Sequence, residues 1–511
     1  MHKVSADRMA VARFYEAADW ALLGGAALAG FLLLLVPGGM TELHVAVVTL
    51  SVCGVLAFIR CILLHDDVSA SLVMASTLGL GYGIGTLNSL LNGYADYMSL
   101  LQLTYATAAQ ITESIALILL LYALLYFIHK TVPVRQLPHP GEDRPEDAIV
   151  VMLAAAAFAC VVVVFVAIGK IGMQLDVSAE EGSSTISASS AIVISALAPM
   201  SATAVFFAMK RAGLVRLMLL GSALTMLLVQ ATQGRRVFMY SAICCLIAYA
   251  HATRSRSLLT WRHAVLVVVL AMSALTASKV FYSMRQATSE MGKNKNIPAL
   301  LERGIKDLLN RERSDFDEKF KENQDTRTFI IGYLAEINEA VKTHPTQEGA
   351  VFVLGVVSAI PTAIWPGKWA IMAVGSEEAL AHPALGLPIW DASNTILTAG
   401  LSDFGVWGFF AYAVLVALMF TLGAHLVRRL YLPAQLAFGF GSLYILLSVE
   451  TAFAGYVSSL RELVILTLML QALTWCLRAL FASRRPYLAH AQRERARLKG
   501  HHAAQTLDVL P

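Results

Sequence analysis

The sequence predicts an all-α polytopic membrane protein with about twelve transmembrane helices, and three observations lead to this fold class. Of the 511 residues, 57% are hydrophobic and only 14% are charged, whereas roughly 25% are charged in a soluble domain. The charges stand in short patches between apolar runs of about 20 residues, enough to cross about 30 Å of hydrocarbon. Helices are the expected spanning element, because lipid leaves open backbone groups unsatisfied and barrel strands are shorter and alternating.

The apolar runs define the candidate spans, with approximate ends. Their ranges are Ala18–Val36, His44–Leu64, Ser69–Leu91, Leu103–Phe127, Ala148–Ile168, Ser190–Met209, Leu214–Val229, Val237–Tyr249, Ala264–Val280, Ile396–Val427, Leu436–Leu447 and Leu463–Leu480. The six cysteines lie in or beside these runs without a CxxC pair. They indicate small hydrophobic side chains rather than a metal site.

Basic residues orient these spans through the positive-inside rule. The tail after Phe481 is strongly basic, and the N-terminal segment carries Lys3, Arg8 and Arg13. An even number of spans puts both termini in the cytoplasm. The connections rich in Lys and Arg, such as 130–135 and 210–216, then also lie inside, and most outer connections are poor in basic residues.

One long polar connection divides the predicted chain. Residues 1–281 would hold spans one to nine, 282–394 a large outer loop, 395–482 spans ten to twelve, and 483–511 a basic cytoplasmic tail. Within the loop, Pro298 and the apolar spacing after it predict a short amphipathic helix, and a second helix is expected at Thr328–Val341. The apolar stretch 349–368 is short and broken by prolines, so we expect it to be re-entrant or to pack on the bundle.

Candidate binding residues are the basic groups at the predicted outer edge. No P-loop, HExxH or GxSxG pattern is present, and the small net charge of +4 gives no indication of nucleic-acid binding. Arg235 and Arg236 lie in an outer turn against the positive-inside bias, where guanidinium forks could clamp a phosphate or diphosphate; snorkelling into headgroups is the alternative. Arg285, Arg327 and Arg461 are candidates of the same kind.

A proline-bracketed elbow and several ionisable residues complete the candidates. Pro361 and Pro366 flank Trp365, and Lys368 follows. The indole could stack on a sugar or anchor the loop at the interface. The candidates for a general base are His382, Asp391 and Asp403. Two further carboxylates beside apolar runs, Glu113 and Glu450, are candidates for function or for pairing with an arginine.

Three stretches, in this order, resemble the Wzy-type O-antigen polymerases, the bacterial family that polymerises oligosaccharide repeat units. They are QGRR at Gln233–Arg236, IPTAIWPGK at Ile360–Lys368, and SNTILTAGLSDFGVWG from Ser393 onward. The matching residues are Arg235, Arg236, Pro361, Trp365, Pro366, Lys368, Ser393, Thr395, Asp403, Phe404 and Gly405. One position departs from the pattern, because Thr362 stands where a basic residue is expected.

The resemblance implies a GT-C-like bundle in the bacterial inner membrane, with a large periplasmic loop between spans nine and ten. It implies a glycosyltransferase that moves a growing glycan from undecaprenyl diphosphate to another lipid-linked repeat unit, without metal or other cofactor. Arg235 and Arg236, supported by Arg285, Arg327, Lys368 and Arg461, would bind the diphosphate; Trp365 would stack on sugar, and Asp391, His382 or Asp403 would act as base. Expected partners are undecaprenyl-diphosphate-linked oligosaccharides, membrane lipids and a chain-length regulator.

Two other functions stay open at this point. An O-antigen ligase, which transfers finished glycan to lipid A-core, shares the topology, and HPALGLPIWDASNT from His382 onward loosely echoes its loop. A lipid-linked glycan flippase or transporter would show Gly- or Pro-interrupted helices at matching positions of two halves, a pattern not evident in this sequence.

Overall fold

A computed structural model describes residues 2–36, 38–63, 68–132, 134–138, 144–167, 188–233, 235–253, 279, 302, 306, 329–361, 364–368, 377–387 and 394–507. Every regular element in these ranges is helical. We number the α-helices in chain order: α1 His2–Leu35, α2 Met40–Leu63, α3 Ala70–Leu91, α4 Tyr97–Leu100, α5 Ala108–Thr131, α6 Pro145–Ala167, α7 Ala188–Met209, α8 Gly213–Gln233, α9 Arg235–Thr253, α10 Ile330–Thr343, α11 Ala350–Ala359, α12 Glu377–Ala384, α13 Ile396–Val427, α14 Leu432–Leu446 and α15 Phe453–Leu507.

Nine helices in the described part of the chain are long and apolar enough to cross a membrane, lying in α1, α2, α3, α5, α6, α8, α9, α13 and α15. The prediction of an α-helical membrane protein is therefore confirmed. Predicted runs six and eleven correspond to shorter apolar helices, Val193–Met209 and Leu432–Leu446. Run nine, Ala264–Val280, lies almost entirely outside the described residues, so the count of twelve stays a prediction.

The last helix begins earlier than the hydropathy pattern predicted. The run was placed at Leu463–Leu480, but α15 starts at Phe453. Arg461 and Glu462 interrupt the apolar pattern, and the structure pairs them with each other at 3.0 Å between Nη2 and Oε1. A helix continues through such charges when their polar groups are satisfied.

Charged and polar side-chain contacts join the helices at one end of the bundle, and we call this end the basic end. Asp19 of α1 is buried and accepts from Arg60 of α2 at 2.8 Å, from Lys130 of α5 at 2.5 Å and from the Tyr126 hydroxyl at 2.7 Å. At the same end, Arg478 of α15 bonds Asp147 of α6 at 2.5 Å. The helix ends that the positive-inside rule grouped together therefore do meet.

Near the opposite end, α3 departs from regular α geometry. Residues Gly79–Ile84 form a π-helical turn with the sequence GLGYGI, and such turns are frequent at functional sites. Tyr82 in this turn is fully buried. A Cβ on Gly81 would lie 2.7 Å from Cγ1 of Val449, so glycine at this position permits the loop between α14 and α15 to approach α3 closely.

Helix α13 is interrupted near its start, within the predicted span Ile396–Val427. Phe404 and Gly405 leave the helical region, and Gly405 has φ 60° and ψ −146°. Residues with side chains rarely adopt that conformation, so glycine is required there. The Phe-Gly pair of the sequence motif thus separates a short leading segment, 396–403, from the long membrane segment that follows.

Two helices of the predicted outer loop pack on the bundle. Helix α10, predicted at Thr328–Val341, runs over Ile330–Thr343 and contacts the segment before α5, where Thr104 donates to Glu336 at 2.5 Å. Helix α11 contains ten residues, about 15 Å at 1.5 Å per residue, which is too short to span. It lies against α15, where a Cβ on Gly355 would meet Phe453.

Of the amphipathic helix expected after Pro298, only Glu302 and Lys306 lie within the described residues. Both are helical, and their side chains form an ion pair of 2.7 Å at i,i+4 spacing. The rest of that predicted helix lies outside the described part of the chain.

Candidate functional site

Polar side chains from six segments form a series of three neighbouring groups at the end of the bundle opposite the basic end. We call this series the polar belt and define it as Arg236, Glu450, Tyr82, Thr395, Asn394, Tyr333 and His382. The segments that supply these residues are α3, α9, α10, α12, the start of α13 and the loop between α14 and α15. Residues distant in sequence therefore meet at one edge of the membrane domain.

The first group in the polar belt is an ion pair between Arg236 and Glu450. The Arg236 guanidinium donates from Nη1 to Oε2 of Glu450. The arginine side chain is 33% exposed and the glutamate 17%, so the pair is enclosed on most sides and open on one. Arg236 lies in the first turn of α9, and Glu450 lies in the loop three residues before the first residue of α15. The carboxylate fixes the direction of the guanidinium, whose planar fork carries five N–H donors.

The second group joins the π turn of α3 to the start of α13. The buried Tyr82 hydroxyl donates to Oγ1 of Thr395 at 2.8 Å. Thr395 is the N-cap of α13, and its side chain also accepts from the backbone N–H groups of Leu397 and Thr398, each at 3.2 Å. Val449, next to Glu450, contacts the same π turn at Gly81. The π turn of α3 therefore contacts both the Ser/Thr-rich motif, through Tyr82, and the residue next to Glu450, through Gly81.

The third group contains the sequence-predicted base His382. Its Nε2 lies 2.5 Å from the Tyr333 hydroxyl, and that hydroxyl is 3.4 Å from Oδ1 of Asn394. His382 is fully buried and Tyr333 is 5% exposed. A histidine bonded to a tyrosine hydroxyl can pass a proton through that hydroxyl. Of the two predicted bases that lie in the described part of the chain, His382 and Asp403, His382 belongs to the polar belt.

Asp403 occupies a different setting from the one expected of a base. It is fully buried and accepts from the backbone N–H groups of Val351 and Phe352 at 3.0 and 2.8 Å, and from the Tyr412 hydroxyl. These N–H groups belong to the first turn of α11, which has no intrahelical acceptor for them. The carboxylate therefore caps α11 and holds it against α13.

The opposite end of α11 is held by two cations. Lys368 donates to the carbonyls of Ser358 and Ile360 at 3.2 and 2.7 Å, and Arg461 donates to the carbonyl of Ala359 at 3.0 Å. Burial, together with the neighbouring Arg461 guanidinium, lowers the pKa of the Lys368 ammonium. A carboxylate at the N-terminus and cations at the C-terminus both complement the helix dipole. Lys368 and Arg461, predicted as phosphate ligands, thus fix the position of α11.

Trp365 lies in the proline elbow that follows α11. Its backbone N–H donates to the Pro361 carbonyl at 3.1 Å, and its side chain is 39% exposed. The described residues of the predicted elbow, Ile360, Pro361, Ile364 and Trp365, are non-helical, and the short 3-10 turn Pro366–Lys368 follows them. An indole exposed beside a fixed helix end has a surface that a ligand can reach.

Several predicted residues are not placed by the structure. Arg285, Arg327 and Asp391 lie outside the described residues, and Arg235 is described only as the first residue of α9. Glu113, the other membrane-edge carboxylate, pairs with Lys342 of α10 at 2.8 Å. Within the described ranges, no group of three or more His, Cys, Asp and Glu side chains is arranged to hold a metal ion.

Sequence reasoning missed two tyrosines of the polar belt. Tyr333 lies in the second predicted loop helix, Thr328–Val341, and Tyr82 lies in the predicted span Ser69–Leu91. A signal for Tyr82 was present, since four glycines alternate through GLGYGIG at Gly79–Gly85 and isolated glycines in helices mark close approach or irregular turns. No comparable local signal marks Tyr333, because its contacts are to residues about 50 or more positions away.

Comparison of the chain with protein-family models, curated proteins and solved structures found no match. The geometry of the polar belt and the motifs of the sequence are therefore the basis for assigning a function to this chain.

Proposed function

We propose that this protein is a glycosyltransferase that polymerises undecaprenyl-diphosphate-linked oligosaccharide repeat units into a bacterial surface polysaccharide. The observation that supports the proposal most strongly is the partly open Arg236–Glu450 pair at the end of the bundle opposite the basic end. An arginine held at a membrane edge fits recognition of a lipid diphosphate, whose polar group lies at that depth. The order of the three sequence motifs supports the same function.

The proposed reaction is a displacement at the anomeric carbon of the donor glycan. The acceptor hydroxyl gives up its proton, its oxygen forms the new glycosidic bond, and the bond from the anomeric carbon to the diphosphate oxygen breaks. The leaving undecaprenyl diphosphate takes the electron pair, and the Arg236 guanidinium stabilises the charge that develops there. No nucleotide is consumed, because the lipid diphosphate is itself the leaving group.

His382 is the base that we assign to this reaction. Its contact with the Tyr333 hydroxyl at 2.5 Å provides a route for the proton from the acceptor hydroxyl through the tyrosine to the imidazole. Asp391 stays a candidate outside the described residues. Asp403 is reassigned as a positioning residue, because all of its described contacts hold α11 or α13.

The finer features of the topology belong to this proposal. They comprise twelve spans in a GT-C-like bundle, both termini in the cytoplasm, and a periplasmic loop between spans nine and ten that covers the polar belt in the inner membrane. The packing of α10 and α11 on the bundle is compatible with a loop that encloses a cavity facing lipid. Trp365 would then contact the sugar chain.

Deletion of the gene in its native host, with surface glycan separated on a gel, tests the proposal. We expect the deletion strain to carry lipid A-core with a single repeat unit, and the complemented strain to regain the ladder. Full-length glycan accumulating on the lipid carrier would instead identify a ligase. Unchanged glycans of every kind would contradict both functions.

A further inference from the structure

An apolar groove lies near the basic end of the bundle, far from the polar belt in the direction along α13. Its volume is about 400 Å³, and its walls include Val134, after α5, together with Leu415, Leu418, Leu422 and His425 of α13. Leu418 is 44% exposed and Leu422 is 59% exposed. The groove is therefore open along the outside of the helix bundle.

Four of the six α13 residues that line the groove form a regular stripe, and Met419 and Thr421 flank it. Their spacing, 415, 418, 422 and 425, alternates three and four residues, which places them on a single helix face. The stripe from 415 to 425 extends over ten residue steps, which at 1.5 Å per residue give a length of about 15 Å. That length is half of the roughly 30 Å hydrocarbon layer, and therefore matches one leaflet.

The stripe ends in basic side chains. Arg428 and Arg429 directly follow Val427, the last residue of α13, and both are exposed, as are His425 and Arg135, which directly follows Val134. An apolar track of one leaflet's length thus leads to positive charge at the depth of lipid headgroups. Each basic residue near an anionic membrane surface contributes roughly 1 kcal/mol of attraction.

We infer that this groove binds a phospholipid with an anionic headgroup, such as phosphatidylglycerol. One acyl chain lies along Leu415, Leu418 and Leu422, and the phosphate contacts Arg429 and its basic neighbours. A second copy of the chain is a poorer occupant, because a two-fold interface on this face would bring the same arginines together.

The test is native mass spectrometry of the purified full chain in detergent, titrated with phosphatidylglycerol and with phosphatidylcholine of identical acyl chains. We expect phosphatidylglycerol to bind at least fivefold more tightly. Arg429→Gln should weaken phosphatidylglycerol binding about fivefold, the factor that roughly 1 kcal/mol represents. Leu422→Trp fills the groove and should abolish this preference.

Leu468→Trp is the matched control, because Leu468 is 57% exposed on α15, away from the groove. It should bind both lipids as the unmodified chain does. Equal binding of the two lipids by the unmodified chain would overturn the inference. So would retained preference in Leu422→Trp, or a dimer that dissociates in Leu422→Trp while lipid binding stays unchanged.

Discussion

At the residue scale, the proposed function depends on the Arg236 guanidinium, whose direction is fixed by Glu450. A guanidinium bonded to Glu450 and two-thirds enclosed keeps a fixed direction, so it can meet a diphosphate with little further ordering. Lysine would keep the charge and lose the planar fork. Removing a preorganised donor that stabilises developing charge typically lowers a rate about 10²–10³-fold.

We therefore predict that Arg236→Gln lowers polymerisation about a hundredfold or more and that Arg236→Lys lowers it to a smaller extent. The measurement is the repeat-unit ladder in a deletion strain that expresses each variant at equal level. Arg216→Gln is the control, since Arg216 is exposed on α8 near the basic end and should leave the ladder unchanged. A normal ladder with Arg236→Gln would contradict the role of this residue.

Asp403 supports a second prediction at this scale, because its contacts describe a cap. Asp403→Asn weakens the acceptor for the N–H groups of Val351 and Phe352, and loss of a helix cap costs about 1 kcal/mol. We expect a lower midpoint of thermal unfolding for the purified protein, with chain polymerisation reduced but retained. An unchanged midpoint together with complete loss of polymerisation would identify Asp403 as the base instead.

At the element scale, the break in α13 is the feature that most directly links sequence to geometry. Gly405 adopts a positive φ, and a Cβ there would meet nothing within 4 Å. Glycine is therefore required because of the backbone conformation, and not because a side chain would contact neighbouring residues. The break separates the segment that carries Thr395 and Asp403 from the long membrane segment, and so permits the two to differ in direction.

We predict that Gly405→Ala destabilises the protein by about 1–3 kcal/mol, the usual range for strained backbone. Gly221→Ala is the control, because Gly221 lies inside α8 with equally open space and alanine favours a helix. The measurement is a comparison of the unfolding midpoints of the two purified variants. Equal midpoints, or a higher one for Gly405→Ala, would contradict the assigned strain.

The positions of many helices, though not their irregular features, were predictable from the sequence. Hydropathy placed α2, α3, α5, α6, α8 and α13 to within several residues, because burial in lipid dominates the choice of residues there. The π turn of α3 and the early start of α15 were missed. Both involve contacts between distant parts of the chain, of Gly81 with Val449 and of Arg461 with the end of α11, which hydropathy does not contain.

Only part of the candidate site was predictable, because its residues also meet through contacts between distant parts of the chain. Arg236 was identified because it opposes the charge bias of its predicted side, and His382 because of its residue type. Glu450, the partner of Arg236, and Tyr333, the partner of His382, come from distant segments, as does Tyr82, the partner of Thr395. Only folding brings these residues together, so the grouping of the polar belt could not be derived from the local sequence pattern.

At the scale of the whole molecule, the two ends of the bundle use charge differently. The basic end contains the buried cluster of Asp19, Arg60 and Lys130, in which one carboxylate satisfies two cations. This cluster joins α1, α2 and α5. Breaking a buried ion pair by removing one partner typically costs 3–5 kcal/mol.

We predict that Asp19→Asn destabilises the protein by about 3–5 kcal/mol, since Arg60 and Lys130 lose their shared counter-charge. The readout is the yield and unfolding midpoint of the purified protein. Glu302→Gln is the control, because its pair with Lys306 is exposed and contributes little. A change in Asp19→Asn no larger than that of the control would contradict a structural role for the cluster.

Reconstitution of the purified chain in a membrane tests whether the whole molecule polymerises repeat units. The purified chain in liposomes is supplied with one undecaprenyl-diphosphate-linked repeat unit, without nucleotide, and the lipid-linked products are sized. The account predicts chains of two or more repeat units with release of undecaprenyl diphosphate, and about a hundredfold less product with Arg236→Gln. Repeat units that stay single, or that transfer only when lipid A-core is added, would contradict it.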